Sequence, residues 1–162
     1  MQNPAWFSRR YPTFSDFEDL AQTYGALIGI GDCPGALFVP PGVMGKNSPP
    51  LLLIPERSGL LERMWFLAHE LAHLQKHSGA PCATRATKVE AQADRWAAEA
   101  LIPEAAVRRY RNASEDAFIA ALSAHYEDLP AYNCPARRLA GTIARIRLSL
   151  VEDRQENNEE AV

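Results

Sequence analysis

Residues 66–77 read FLAHELAHLQKH. Leu60, Leu61, Met64, Trp65, Phe66, Leu67, Ala68, Leu71, Ala72 and Leu74 put apolar groups on nearly every helical face, the pattern of a buried helix rather than a surface one. His69, Glu70 and His73 nevertheless fall in its middle. Burying polar groups without partners costs about 1–3 kcal/mol each, so the fold must satisfy them. Helical residues four apart differ by about 40° in direction and about 6 Å in height, which lets His69 and His73 converge on one metal ion. Glu70 lies about 100° round the helix from His69, close enough to reach a water on such an ion and poorly placed to be a third ligand. It reads as a general base.

A catalytic zinc takes three protein ligands and keeps one position open. His77 is near in sequence but about 12 Å along the axis from His69, too far to share an ion with that pair. The longer metzincin pattern fails, because Lys76 stands where its glycine belongs and Gly79 where its third ligand belongs. The better source is KVEAQADRWAAEALIP at 88–103, where Glu90 and Asp94 lie four apart among alanines. Like charges at that spacing repel by a few tenths of a kcal/mol. A cation and an imidazole N–H turn repulsion into gain: Glu90 ligates, and Asp94 holds a ligating histidine, His69, in the right tautomer. The alternative is an exposed acidic face partnered by Lys88 and Arg95.

Around this core, Asp16, Glu18 and Asp19 open a first helix capped by Ser15 and running to about Tyr24. ALFV at 36–39 and LLLI at 51–54, bounded by prolines and glycines, read as a β-hairpin or part of a small sheet. LLLI is either core or an edge for an extended substrate. The HELAH helix spans about Ser58 to His77 and stops near Gly79 and Pro81. Further helices cover about Thr87–Leu101, Pro103–Tyr110, Ser114–Tyr126 and Pro135–Val151. The last carries Leu139, Ile143, Ile146 and Leu150 on one side and Arg137, Arg138, Arg145 and Arg147 on the other. The expected architecture is α+β and mostly helical. Residues 1–151 form one domain, and 152–162 a polar, disordered tail.

Composition removes other classes. The 162 residues are 47% hydrophobic and 23% charged with net charge −3, ordinary for a globular chain and without a general attraction for nucleic acid. Cys33, Cys82 and Cys134 are odd in number and far apart, which suggests neither a disulfide framework nor a cysteine metal site. No run approaches the roughly 18–20 apolar residues of a membrane span, and the N-terminus lacks a signal core. A cytoplasmic location is expected, with no membrane and no direct nucleic-acid partner.

HELAH, EAQAD beginning 17 residues after His73, and RWAAEALIP resemble the ImmA/IrrE family of HExxH metallopeptidases, as does the lead-in ERMWFLAHELAHLQKH with Arg63 and His77. The resemblance covers roughly Phe14 to Pro103. It implies a zincin-like fold and a gluzincin-like ligand set of His69, His73 and Glu90, with Glu70 as base and Asp94 behind a ligand. The implied cofactor is one divalent ion, zinc first and manganese second. The implied activity is endopeptidase cleavage of a helix-turn-helix repressor, releasing stress-response or mobile-element genes. The arginine-bearing last helix is a candidate docking face for that repressor. Tyr110, His125, Tyr126 and Tyr132 are candidates to stabilise an oxyanion. The rival reading is a non-catalytic, metal-containing partner-binding module, for example in a toxin–antitoxin pair.

Overall fold

A computed structural model describes residues 3–77, 87–126 and 135–159. Its first helix, α1 (Phe14–Thr23), is capped by Thr13 and not by Ser15. The Thr13 hydroxyl accepts from the Asp16 N–H at 3.3 Å, and the Thr13 N–H donates to the Asp16 carboxylate at 2.6 Å, a reciprocal capping box. Arg10 clasps the same carboxylate at 2.6 and 2.8 Å and, as the main cause, holds its pKa down to about 2. Gly25, at φ +67°, turns the chain out of the helix.

The chain then forms β1 (Leu27–Gly31), which the sequence reading does not contain, followed by β2 (Leu37–Val39) and β3 (Leu51–Pro55). LIGIG sets two strand-favouring isoleucines against two glycines that weaken a strand; pairing with its partner decides the outcome. β1 pairs in parallel with β3, Gly29 opposite Leu53. A Cβ on Gly29 would stand 3.3 Å from the Leu51 and Leu53 side chains, so the glycine admits their close approach. β2 pairs with β3 antiparallel, giving the order β1-β3-β2. LLLI is therefore the central strand. Both its edges are occupied, which rules out strand addition by a substrate there, and Leu52 and Ile54 are fully buried.

From the sheet the chain enters α2 (Leu60–His77), then α3 (Thr87–Leu101), α4 (Glu104–Tyr110), α5 (Glu115–His125) and α6 (Pro135–Glu159). The α+β, mostly helical class is thus the observed one. Leu61, Met64, Leu67, Ala68, Leu71 and Ala72 bury α2, and Ala93, Ala97, Ala100 and Leu101 bury the facing side of α3. Ser114 caps α5 through the Ala117 N–H, and the expected stripe of Phe118, Ile119, Leu122 and Tyr126 is buried. α6 continues eight residues past its expected end, because EDRQENNE contains neither glycine nor proline and several good helix formers. Gly79, Pro81, Tyr132 and the last three residues lie outside the described residues, as do the side chains of His77 and Arg137.

The arginine face of α6 also needs correction. Arg147 is fully buried, with its Nε donating to the Ile102 carbonyl at 3.0 Å and Nη2 to the Ser8 hydroxyl at 2.9 Å. Glu99 lies 3.9 Å from its Nη1. Ile143, Arg147 and Leu150 share the inward stripe, so Arg147 pins α6 to the end of α3 and to the N-terminal segment. Arg145 instead pairs with Glu115 at 2.9 Å near the surface. Removing one partner of a buried charged network costs about 3–5 kcal/mol, and Arg147→Ala should show a loss of that size in urea denaturation. Exposed Arg138→Ala should stay within about 0.5 kcal/mol of wild type.

Candidate metal centre

One turn of α2 separates His69 from His73, and their rings meet at 70° with centroids 4.7 Å apart. The two Nε2 atoms face each other at 3.0 Å. From α3, the Glu90 carboxylate comes within 3.3 Å of His69 Nε2 and 3.6 Å of His73 Nε2. One donor atom from each residue lies within 4.8 Å of the others. Two donors bound to zinc at about 2.0–2.1 Å in tetrahedral geometry stand roughly 3.3–3.4 Å apart. The observed spacings bracket that value, and the set of two imidazoles and a carboxylate fits a divalent ion such as zinc.

Asp94, one turn beyond Glu90, reaches His69 on its other side, with Oδ1 at 2.9 Å from Nδ1. If Nδ1 carries the hydrogen it donates to Asp94, and Nε2 turns its lone pair toward the cluster. The side chains of His69 and His73 are mostly buried, while those of Glu90 and Asp94 are about one-third exposed. The cluster is therefore walled by α2 and open on the α3 side. Glu70 is buried at 6% exposure. Burial pushes the His69 pKa down, but the Asp94 hydrogen bond and the charges of Asp94, Glu70 and Glu90 outweigh it and hold the imidazole above its ordinary value.

Trp65, one turn before His69, sets its ring 6.3 Å from that imidazole. Its spacing of four from His69 is the signal by which the sequence could have placed it beside the site. Of the oxyanion candidates, the three within the described residues make contacts of their own. The Tyr126 hydroxyl donates to the Leu101 carbonyl at 2.9 Å, His125 stacks on Tyr11, and Tyr110 stacks on Phe118.

An α+β fold that brings two histidines and a neighbouring-helix carboxylate into one cluster, with a buried glutamate next to the first histidine on the same helix, has the features of an HExxH metallopeptidase. The family model for the IrrE N-terminal-like domain, Peptidase_M78, matches residues 35–127, and the chain belongs to that family. No curated protein and no solved structure matches the chain. The matched span holds β2 through α5 and all five residues His69, Glu70, His73, Glu90 and Asp94; α1, β1 and α6 fall outside it. Among the described residues, no helix is long and apolar enough to cross a membrane.

Purified protein should carry about one divalent ion per chain by elemental analysis. A His69→Ala, His73→Ala double variant should carry none, and full occupancy in that variant would remove the pair from the site. Protons compete with the ion, and the sign follows from His69. A histidine whose pKa rises on folding stabilises the fold fully below its unfolded value and loses that contribution as pH rises through the folded value. Metal-free protein should lose this contribution as pH rises from the ordinary imidazole range through the raised folded pKa of His69, whereas metal binding needs neutral imidazole and strengthens as pH rises. The rise in melting temperature caused by zinc, measured against a chelator control, should be larger at the higher pH. A rise independent of pH would argue against His69 as a ligand.

Proposed function

We propose that the protein is a zinc-dependent endopeptidase, with manganese as the alternative ion, and that its substrate is a helix-turn-helix transcriptional repressor. The observation that carries the catalytic reading is the convergence of His69, His73 and Glu90 within 4.8 Å, beside a buried Glu70 on the same helix. A purely structural metal site has no use for a carboxylate in that position, which favours an enzyme over the partner-binding module.

In this reading His69, His73 and Glu90 hold the ion, and Asp94 fixes the orientation of His69. The ion's part is to acidify a water and polarise the scissile carbonyl. Glu70 takes the proton of the attacking water and delivers it to the leaving amine nitrogen. Glu70 acts on the water and forms no bond to the acyl carbon, so in this reading no acyl-enzyme intervenes. The repressor as substrate is supported by family membership, and a chain with no membrane-crossing helix among its described residues suits a cytoplasmic partner. An extended segment of the repressor would have to reach the side of the cluster where Glu90 and Asp94 are exposed. Cleavage there would derepress stress-response or mobile-element genes.

Glu70→Gln should retain metal and fold yet lose hydrolysis by several orders of magnitude, on the order of 10²–10⁴-fold as for other general acid–base groups. Asp94→Asn should weaken metal affinity or activity by roughly 10–100-fold. Wild type and both variants, incubated with helix-turn-helix proteins encoded beside this chain, should be compared by mass spectrometry. One dominant, metal-dependent cut in such a protein, absent with Glu70→Gln, is the expected result. Full activity of Glu70→Gln would remove the base. Unselective digestion of unrelated unfolded proteins would remove the regulatory role while leaving the peptidase.

A further inference from the structure

A second concave site opens at the opposite end of α3 from the cluster. Leu101 closes that helix eleven residues after Glu90, roughly 16 Å along the axis. Just beyond it, a cavity of about 620 Å³ lies between the N-terminal segment, α4 and α5. That volume is in the range of small-molecule sites. None of the metal-cluster residues lines it.

The lining divides by chemistry. Pro103, Ala106, Ala121 and Ala124 make an apolar floor. Tyr11 and His125 make a flat wall, stacked with centroids 3.7 Å apart at 23°. Arg9, Arg10 and Arg109 supply the charge around it. Arg10 is neutralised by its two bonds to Asp16, and nearby Glu104 is engaged by Arg108 at 3.2 Å. Among the described residues, no ion pair engages Arg9 or Arg109. Arg109 lies over the Tyr110 ring at 5.5 Å and acts electrostatically on the Tyr11 hydroxyl, which places its charge beside the aromatic wall. Partial burial holds the His125 pKa below its ordinary value.

An apolar floor of small side chains with two uncompensated guanidinium groups beside it is complementary to one kind of molecule. We propose that this cavity binds a small organic anion with a flat apolar body, the body seated against Ala121, Ala124 and the Tyr11–His125 wall and the anionic group held between Arg9 and Arg109. Guanidinium groups suit carboxylate, phosphate and sulfonate alike, while the alanines leave room for a ring that larger side chains would fill.

A matched pair of dyes tests this with the full chain at physiological ionic strength. Anilinonaphthalene sulfonate has the flat body and the anion, and N-phenylnaphthylamine has the body alone. Fluorescence titration should show one saturable sulfonate-dye site per chain, at least about tenfold tighter than the neutral dye, a difference of about 1.4 kcal/mol. Arg9→Glu and Arg109→Glu, both at exposed positions, should each weaken the anionic dye about tenfold and leave the neutral dye unchanged. Arg57→Glu, an exposed charge elsewhere, should change neither. Ala124→Trp should fill the cavity and abolish binding of both, with its fold checked by circular dichroism. Equal affinity for the two dyes, no saturable site for the anionic one, or an equal loss in Arg57→Glu and Arg109→Glu would overturn the proposal.

Discussion

The contact between His69 Nδ1 and Asp94 Oδ1, 2.9 Å across the seam between α2 and α3, is the constraint on which the rest of the site depends. An imidazole nearly shut off from water needs a partner on each nitrogen. With Asp94 on one side and the Glu90–His73 pair on the other, both nitrogens of His69 are directed and the ring cannot rotate without losing one set of contacts. The two helices must therefore pack in the one register that brings both carboxylates to α2. Apolar burial of Leu67, Leu71 and Leu101 drives the helices together, but such burial is nearly indifferent to a slip of one turn. The polar contacts are what distinguish the registers.

HELAH and EAQAD were legible because a metal site on a helix imposes integer spacing, and integer spacing survives in a linear sequence. A step of four positions from ligand to ligand on α2, and the same step from Glu90 to Asp94 on α3, each state a shared helical face without any knowledge of the tertiary fold. The helices themselves were legible for the same reason, since Phe118, Ile119, Leu122 and Tyr126 repeat at helical period and are buried together. What was not legible depends on non-local partners. LIGIG is a strand because β3 lies beside it, and nothing within residues 27–31 announces that neighbour. The same missing strand made LLLI look like a possible edge, whereas β1 places it in the centre.

Arg147 and the arginine-rimmed cavity show the limit from the charged side. Residue preference alone assigns every arginine of α6 to water, although Arg147 stands four residues from Ile143 and three from Leu150, on the apolar stripe. Arg147 is inside because Ile102 and Ser8 arrive from distant parts of the chain with acceptors that satisfy it. Likewise Arg9, Arg109 and His125 belong to three segments separated by about a hundred residues and fifteen residues in turn, and only the packed N-terminal segment sets them around one cavity. Thr13 is a smaller case. Thr13 and Ser15 are both able to cap, and the choice falls to Thr13 because Asp16 stands three residues on to return the hydrogen bond and Arg10 steadies that carboxylate.

The alanine content of α3 ties packing to chemistry. Ala93, Ala97 and Ala100 are completely buried against the rest of the core, and helix separation follows the size of the side chains between the axes. An aspartate has one methylene fewer than a glutamate, so Asp94 can meet His69 directly only if the helices are close. Glu90, one turn earlier, has the longer side chain and reaches past the seam to both histidine Nε2 atoms. The order of the two acids along α3 is thus matched to two different distances, the short one to the outer nitrogen of His69 and the long one to the mouth of the cluster. Larger residues in place of the alanines would widen the seam, lengthen the Asp94 contact first, and release His69 from its fixed orientation before the apolar core had lost much of its contact area.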